Sequence, residues 1–145
     1  MNKNRYNWVP GSSLRIETNN FSMKSLTLED ANNRHVDWLN DSEVNKWLNS
    51  NWKDHTIKSV KNFILMQDQQ KLFHLGIFVK TSNLHIGNFT ILIDNYHKTS
   101  ETRVLVGDKS WWGKGVVIEC RSMILNWLFD EKDMYIVYGY PAIKN

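Results

Sequence analysis

The sequence predicts an α/β (α+β) fold with a mixed central sheet and flanking helices. Segments with the apolar patterns of strands and helices follow one another in the order β, α, α, β, β, β, α, β. Residues 104–119 combine a β-branched apolar run, a loop with glycines and a periodic apolar run, which indicates a strand, a loop and a helix in direct succession. The 145 residues suffice for one domain with a hydrophobic core.

The N-terminal half contains one predicted strand and several helices. We expect residues 1–13, which are mostly polar, to form a flexible arm, and residues 14–145 to form the single domain. Residues 21–26 have the pattern of a first strand. Thr27 and Thr56 can each cap a helix N-terminus, and a short helix is expected to begin with Asp41-Ser42-Glu43-Val44. The side chains that the following helices are expected to bury are Val36, Trp38, Leu39, Val44, Trp47, Leu48, Val60, Phe63 and Ile64.

The C-terminal half is predicted to hold four strands and one long helix. The strands are expected at residues 72–80, 85–93, 102–106 and 134–140. Thr81-Ser82-Asn83 between the first two is typical of a turn and therefore indicates a hairpin. The helix is expected over residues 113–129. Its apolar positions are Val116, Cys120, Met123, Ile124 and Trp127.

Composition and charge exclude several classes of function. The net charge of +3 comes without a clustered basic stripe, so we expect no nucleic-acid partner. No apolar run approaches the ~18 residues of a membrane span, so we expect no membrane partner. Cys120 is the single cysteine, which rules out an intramolecular disulfide and favours a cytoplasmic location. The five histidines lack the spacing of metal ligands, so we expect no metal.

The glycine loop carries the strongest functional signal. Gly113 and Gly115 let the backbone approach a ligand closely, and the start of the following helix offers unpaired N–H groups that suit a phosphate. Gly107 lies one residue too far from Gly113-Lys114 for the P-loop of ATPases, and Ile118 occupies the place of the third glycine of a dinucleotide fingerprint. A strand, turn and helix without a ligand is the remaining alternative.

A third phosphate-binding motif fits this loop better. Trp112-Gly113-Lys114-Gly115-Val116-Val117 resembles the acetyl-CoA-binding motif Q/R-x-x-G-x-G/A of the GNAT N-acetyltransferases. The surrounding sequence resembles the branch that contains the RimJ/RimL-like ribosomal-protein acetylases and the spermidine acetylases. Upstream, His85-Ile86-Gly87-Asn88 is similar to the x-I-G strand of the family, and residues 94–98 are similar to the turn that follows it.

The resemblance implies the GNAT acyl-CoA N-acyltransferase fold, with acetyl-CoA as co-substrate. The phosphates would bind the backbone N–H groups of the loop, and Lys114 would add positive charge. The backbone of Leu105 or Val106 would donate a hydrogen bond to the thioester carbonyl. The cofactor-binding residues that follow from this are Leu105, Val106, Trp112, Gly113, Lys114, Gly115, Val116 and Val117.

Acetyl transfer also needs a base, because an amine with a pKa of about 10 must lose a proton before it attacks. Glu101, at the mouth of the cofactor strand, is the first candidate for this catalytic role, and a solvated turn carboxylate is the alternative. Relatives often have an acid one position later, where this chain has Thr102. The candidates for contact with the acceptor are Asp94, Tyr96 and His97 in the adjoining turn and Trp47 near the first helices.

The end of the chain raises two further expectations. In the family, the strands that correspond to residues 102–106 and 134–140 splay apart around the pantetheine arm. Relatives then continue with Asn-x-x-Ser, a helix and more strands, so Asn145 would begin a segment that is absent and the domain would be C-terminally incomplete. The apolar strand at 134–140 would expose an edge, and we therefore expect a homo-oligomer that pairs through it.

The resemblance therefore implies an N-acetyltransferase that transfers acetyl from acetyl-CoA by direct attack of a primary amine. A covalent enzyme intermediate is not expected, because the sequence shows no activated cysteine or serine. The acceptor is a protein N-terminus, an amino sugar or a polyamine, and the sequence does not choose among them. The alternative is a non-catalytic acyl-CoA-binding or interaction module with the same fold.

Overall fold

The computed structural model describes residues 5–48 and 54–141. The expectation for Asn145 and the first four residues of the predicted arm therefore fall outside the described residues. The strands are β1 (Arg15–Glu17), β2 (Phe21–Ser25), β3 (Leu72–Val79), β4 (His85–Asp94), β5 (Thr99–Val106) and β6 (Ile136–Tyr138). The helices are α1 (Asn33–Asn40), α2 (Ser42–Asn45), α3 (Ile57–Leu65) and α4 (Val116–Asn126), with 3-10 turns at Leu28–Asp30 and Lys109–Trp111 and a π-helical turn at Trp127–Glu131.

The six strands form one mixed sheet, in the order of the sequence. Neighbouring strands are antiparallel except β5 and β6, which are parallel and connected through α4. The pairing of β5 with β6 ends at Glu101 and Tyr138, whereas β5 stays paired with β4 as far as Val106 opposite Gly87. The sheet with helices on both faces confirms the α/β (α+β) class.

The two faces of the sheet carry different layers. One face packs its apolar side chains, among them Phe89 and Ile91, against Val116, Cys120 and Ile124 of α4. The helices α1 and α3 cover part of the other face through a smaller cluster, whose buried members are Leu26, Ala31, Val60 and Ile64. Because successive strand residues point to opposite faces, each residue of β5 belongs to one layer or the other.

The structure corrects several predicted boundaries. The strand β1 has no counterpart in the prediction. The long helix begins at Val116 instead of residue 113, because Gly113 and Gly115 have φ angles of 72° and 76°, which an α-helix excludes. β5 begins at Thr99 instead of residue 102, and β6 covers only Ile136–Tyr138 of the predicted 134–140. The predicted hairpin between β3 and β4 is confirmed.

The described part of the predicted N-terminal arm lies against the core. The Trp8 ring packs edge-on against Phe73 and Trp127, with centroid distances of 5.7 Å to each. The backbone N–H of Gly11 also donates a hydrogen bond to the carbonyl of Gln69, at 3.0 Å. A contact between distant aromatic side chains leaves no periodic signal in a short polar segment, so the sequence did not show it.

The prediction that Trp47 is buried was wrong. Its side chain follows α2 and is 40% exposed, whereas its neighbours Val44 and Trp38 are buried as expected. α2 is only four residues long, so its apolar spacing does not determine which side chain turns inward.

Candidate functional site

The glycine loop connects the end of β5 with the start of α4 at one end of the sheet. Gly113 and Gly115 are both left-handed, and Gly115 occupies the N-cap position of α4. A Cβ at either glycine would meet no atom within 4 Å, so open space surrounds this backbone. The first N–H groups of α4 have no partner within the helix and carry the positive end of its dipole. The loop therefore offers backbone donors that an anion can reach.

Gly107, at the exit of β5, has a different role. A Cβ at this position would lie 2.1 Å from the ring of Trp38, which is buried in α1. Gly107 therefore permits α1 to pack directly against the start of the loop. The sequence gives no sign of this contact, because the two residues are far apart along the chain.

Three ion pairs, made by two basic side chains, hold the first part of the loop against the helical layer. Arg34 of α1 pairs with Asp108 at 2.6 Å, and its Nε also donates to the carbonyl of His85 at 3.1 Å. Lys109 pairs with Asp41 at 2.8 Å and with Glu43 at 3.2 Å, and the hydrogen bonds that its ammonium donates to these two carboxylates raise the pKa of Lys109. These anchors join segments that no local pattern connects.

The side chains of the loop are directed by contacts within the fold. The indole Nε1 of Trp112 donates to the carbonyl of Val106 at 2.8 Å. The ammonium of Lys114 lies 5.2 Å from the ring centroid of Trp111, which packs edge-on against Phe21. Lys114 and Trp111 thus line a cleft of about 210 Å³ between the loop and the β1–β2 and β3–β4 turns.

The peptide groups of β5 alternate between its two neighbours. The carbonyl of Leu105 faces β4, since a Cβ on Gly87 would lie 2.3 Å from that oxygen. The carbonyls of Thr102 and Val106 face the opposite side, because the first lies close to Gly139 and the second accepts from Trp112. The N–H and C=O groups of one residue in an antiparallel strand point the same way. The N–H of Val106, and not that of Leu105, therefore faces the edge that β6 leaves open.

The same reasoning identifies Val104 as a second residue on this open edge. Its peptide group lies two residues before that of Val106 and so points in the same direction. Val104 was absent from the predicted cofactor-binding residues. Alternation along the strand could have identified it once the register with β4 was known.

Glu101 lies on the face of β5 that is turned away from α4. Its side chain is 15% exposed, and its Oε1 accepts a hydrogen bond from the Nε of Arg103 at 2.6 Å. Thr102, the next residue, is 4% exposed on the opposite face. Glu101 is also paired across the sheet with Tyr138 of β6. The structure thus brings a carboxylate, a guanidinium and a phenol to the place where β5 and β6 part.

The predicted acceptor contacts Asp94, Tyr96 and His97 lie elsewhere. Asp94 accepts hydrogen bonds from the backbone N–H groups of Tyr96 and His97, at 3.0 Å each, and pairs with the His97 ring at 2.7 Å. The His97 N–H and ring contacts hold the pKa of Asp94 below its usual value. β5 rises by about 3.3 Å per residue, so this turn lies roughly 23 Å from Val106. The structure does not bring these three residues together with the loop, and their role, like that of Trp47, stays a prediction.

A buried polar network that the sequence analysis missed lies under α1. Asn88 Oδ1 is 2.8 Å from His85 Nε2, and Asn88 Nδ2 is 2.8 Å from His35 Nε2. Because an amide nitrogen donates and its oxygen accepts, His35 carries its proton on Nδ1, which lies 3.1 Å from the carbonyl of Asp30.

The buried histidines of this face are uncharged near neutral pH. Burial away from water lowers the pKa of both His74 and His85 to about 4. The ring of His74 stacks on Phe63, with a centroid distance of 3.7 Å, and its Nδ1 lies 3.0 Å from the Thr90 hydroxyl. No three His, Cys, Asp or Glu side chains of residues 5–48 and 54–141 are grouped as a metal site would require.

Cys120 lies in the core, as its position in the helix predicts. It is fully buried on α4, and burial raises the pKa of its thiol to about 12. A thiol with such a pKa is not a nucleophile at neutral pH.

Comparisons with known proteins identify the family. A sequence model described as an acetyltransferase (GNAT) domain matches residues 21–145. A sequence search among curated proteins finds no match. Within the described residues, no helix has both the length and the apolar character that a membrane crossing requires.

Solved structures show the same fold at low sequence identity. A GNAT-family acetyltransferase from Bacillus anthracis has a TM-score of 0.78 and 16% identity, over 90% of this chain and 75% of that one. A spermidine N-acetyltransferase from Vibrio cholerae, in complex with CoA and spermine, has a TM-score of 0.72 and 13% identity, over 87% and 73%. A ribosomal-protein-S5-alanine acetyltransferase from Vibrio fischeri has a TM-score of 0.70 and 16% identity, over 90% and 75%.

Proposed function

The chain belongs to the GNAT acetyltransferase family, and we propose that it transfers the acetyl group of acetyl-CoA directly to a primary amine. The observation that carries this proposal is the left-handed pair Gly113 and Gly115 at the start of α4, beside the open edge of β5. A helix N-terminus binds a pyrophosphate, and an unpaired strand edge can pair with an amide-containing chain. Coenzyme A contains both groups.

The cofactor's binding follows from these two features. The pyrophosphate takes the N–H groups of residues 113–117, with no side chain in the way. The pantetheine amides pair with the outward peptide groups of Val104 and Val106. The thioester carbonyl then receives a hydrogen bond from this edge, which stabilises the negative charge that develops during attack.

Glu101 is the candidate base for the amine. Its carboxylate lies on the face opposite α4, where an acceptor can approach β5. The hydrogen bond from the Nε of Arg103, at 2.6 Å, occupies Oε1 of this carboxylate. The amine therefore has to displace this contact, or share it, before Glu101 takes its proton.

The acceptor classes that acetyl transfer leaves open are a protein N-terminus, a polyamine and an amino sugar. The spermidine and ribosomal-protein acetyltransferases among the solved structures support placement in the RimJ/RimL-like branch, where both kinds of acceptor occur. We place the protein in the cytoplasm, on the basis of its single buried cysteine. We also expect a homo-oligomer through the 134–140 edge, where Tyr135, Ile136 and Tyr140 are exposed.

The non-catalytic acyl-CoA-binding module is a second candidate. The observation that favours it is the ion pair of Glu101 with Arg103, which occupies the only acidic side chain of β5. Such a module would bind acetyl-CoA and release no CoA when an amine is added.

Thiol release from acetyl-CoA, measured with a panel of amines, tests the proposal. The panel contains spermidine, glucosamine and peptides with free N-termini, each compared with its N-acetylated form. We expect release that depends on the free amine and falls at least tenfold in Glu101→Gln, because a general base typically contributes about a hundredfold or more. Acetyl-CoA binding without amine-dependent release across the panel would support the binding module instead.

A further inference from the structure

The face of β5 that carries Glu101 also carries an exposed cation. The side chain of Arg103 is 62% exposed, and its Nε donates to Glu101 Oε1 at 2.6 Å. Glu101 itself is only 15% exposed. Its carboxylate therefore holds the Nε side of the guanidinium close to the sheet. The hydrogen bond to Glu101 raises the pKa of Arg103, and the charge interaction with Tyr138 adds to this effect.

The terminal amino groups of Arg103 lie on the same face of β5 as Glu101, which is the face where we place the acceptor. Arg103 lies opposite Thr90 on β4 and two residues from Glu101, at the point where β6 stops pairing with β5. Its positive field reaches the buried His74, whose pKa it helps to lower after burial. Among the described residues, Glu101 is the hydrogen-bonding and ion-pair partner of Arg103, and this contact uses the Nε. The two terminal amino groups of the guanidinium are left for a ligand.

We propose that Arg103 determines acceptor specificity by binding a carboxylate or phosphate on the acceptor, so that the substrate is an amine that also carries an anion. The inference rests on the proposed acetyl transfer and names the class of acceptor. A guanidinium holds a planar anion through two parallel N–H bonds. The neighbouring Glu101 then receives the ammonium group of the same molecule.

The charge of the pair also decides against a polycation. A polyamine gains affinity from several unpaired carboxylates, whereas here the single carboxylate of β5 is already neutralised by Arg103. An exposed guanidinium beside it repels a second ammonium group. An acceptor with one amine and one anion satisfies both members of the pair.

The test compares acceptors that share a carbon skeleton and differ in the anion, and kcat/KM is calculated on the concentration of free amine because the anion also changes the pKa of the amine. Glycine is compared with glycinamide, and O-phosphoethanolamine with ethanolamine, and spermidine serves as the polycation. We expect the anionic member of at least one pair to have a kcat/KM about tenfold or more above its neutral partner, through a lower KM. The glycine pair reports a carboxylate site, and the phosphoethanolamine pair reports a phosphate site.

The variants are Arg103→Gln and Arg103→Lys. Arg103→Gln should bring the ratio within each pair close to one, mainly by raising KM for the anionic acceptor. Arg103→Lys should retain part of the preference, because the charge stays and the planar fork is lost. Arg15→Gln is the matched control, since Arg15 forms the same Nε contact with Glu17 on β1 and is 64% exposed. It should leave the ratio unchanged.

Binding of acetyl-CoA separates this inference from the proposed function. It is measured by calorimetry on the same proteins and should be the same in all of them. Equal kcat/KM within both pairs, or a preference that survives Arg103→Gln, would overturn the role of Arg103 while acetyl transfer stands. If no amine is acetylated, glycine and O-phosphoethanolamine are titrated into the acetyl-CoA complex and their binding is measured by calorimetry. If neither binds, the inference is overturned.

Discussion

At the scale of single residues, glycines serve the site in two physically different ways. Gly115 has a φ of 76° and open space around its Cα, so its requirement is conformational. Gly107 has no left-handed backbone, but the Trp38 ring occupies the space of a Cβ, so its requirement is steric. Substitution with alanine should therefore lower the free energy of unfolding at both positions, for different reasons.

Gly115→Ala tests the conformational requirement. An L-residue in the left-handed region costs about 1 to 2 kcal/mol, and we expect the free energy of unfolding to fall by this amount. Gly115→Asn should lose less, because asparagine tolerates this region. Urea denaturation gives both values, and an equal loss in the two variants would contradict the conformational explanation.

Gly107→Ala tests the steric requirement. The added methyl group must displace Trp38, and overpacking of this kind costs about 1 to 3 kcal/mol in the free energy of unfolding. Combining it with Trp38→Leu, which makes room, should cost less than the sum of the single changes. Additive losses in chemical denaturation would show that the two residues are not in contact.

Single-residue roles were predictable where a backbone requirement appears in the local sequence. Gly113 and Gly115 were identified from their spacing beside an amphipathic run. The contacts of Gly107 with Trp38 and of Asp108 with Arg34 were not, because they join residues that only the tertiary fold brings together. For Glu101 and Thr102 the sequence left the face of the strand undecided, and the register with β4 decides it.

At the scale of elements, Glu119 fastens α4 to the β1–β2 turn. Its carboxylate accepts hydrogen bonds from the Thr18 hydroxyl at 2.7 Å, the Asn20 N–H at 2.8 Å and the Asn20 side-chain amide at 3.0 Å. Partial burial would raise the pKa of Glu119, but the hydrogen bonds from Asn20 and Thr18 outweigh it and keep the pKa below its usual value. The helix that begins at the glycine loop is thus held at its first turn.

Glu119→Ala removes this connection. Hydrogen bonds to a charged group contribute about 1.5 to 3 kcal/mol, and the partly exposed position of this residue favours the lower end. Glu29→Ala, at an exposed glutamate of the first 3-10 turn, should stay within about 0.5 kcal/mol. The unfolding free energies of the two variants are compared in urea. Equal values would mean that the contacts of Glu119 are not stabilising.

The helix α4 also shows what patterns predict at this scale. Its buried positions Val116, Cys120 and Ile124 follow from their spacing. The spacing does not predict where the helix starts. The first helical residue is set by the left-handed backbone of Gly113 and Gly115, which a pattern of side-chain polarity does not report. β1 was missed because three residues are too few for an alternating pattern to emerge from a polar segment.

At the scale of the whole molecule, the sheet separates an apolar layer from a layer that contains buried histidines. His74 and His85 have folded-state pKa values of about 4, below the value of 6.5 for an unburied imidazole. Between these pH values the unfolded chain binds more protons than the folded chain. The free energy of unfolding therefore falls as the pH falls from about 6.5 toward 4.

This linkage predicts a loss on the order of 2 kcal/mol for each of the two histidines between pH 7 and pH 5. Urea denaturation at the two pH values measures it. His74→Gln should reduce the difference in the free energy of unfolding between pH 7 and pH 5 by the contribution of one histidine. This holds whatever the substitution does to the free energy of unfolding at pH 7. His97→Gln, at the exposed β4–β5 turn, should leave the steep loss in place. A free energy that does not change between pH 7 and 5 would contradict the buried, uncharged state of these rings.

The central claim is that acetyl-CoA binds between the glycine loop and the open edge of β5. Titration of the ¹⁵N-labelled protein with acetyl-CoA, followed through its backbone amide resonances, tests this most directly. We predict saturable shifts concentrated at residues 113–117 and at Val104 and Val106, with small shifts at the β4–β5 turn. Saturable binding whose shifts leave the loop and the β5 edge unaffected, or no binding by a folded protein at millimolar acetyl-CoA, would contradict the account.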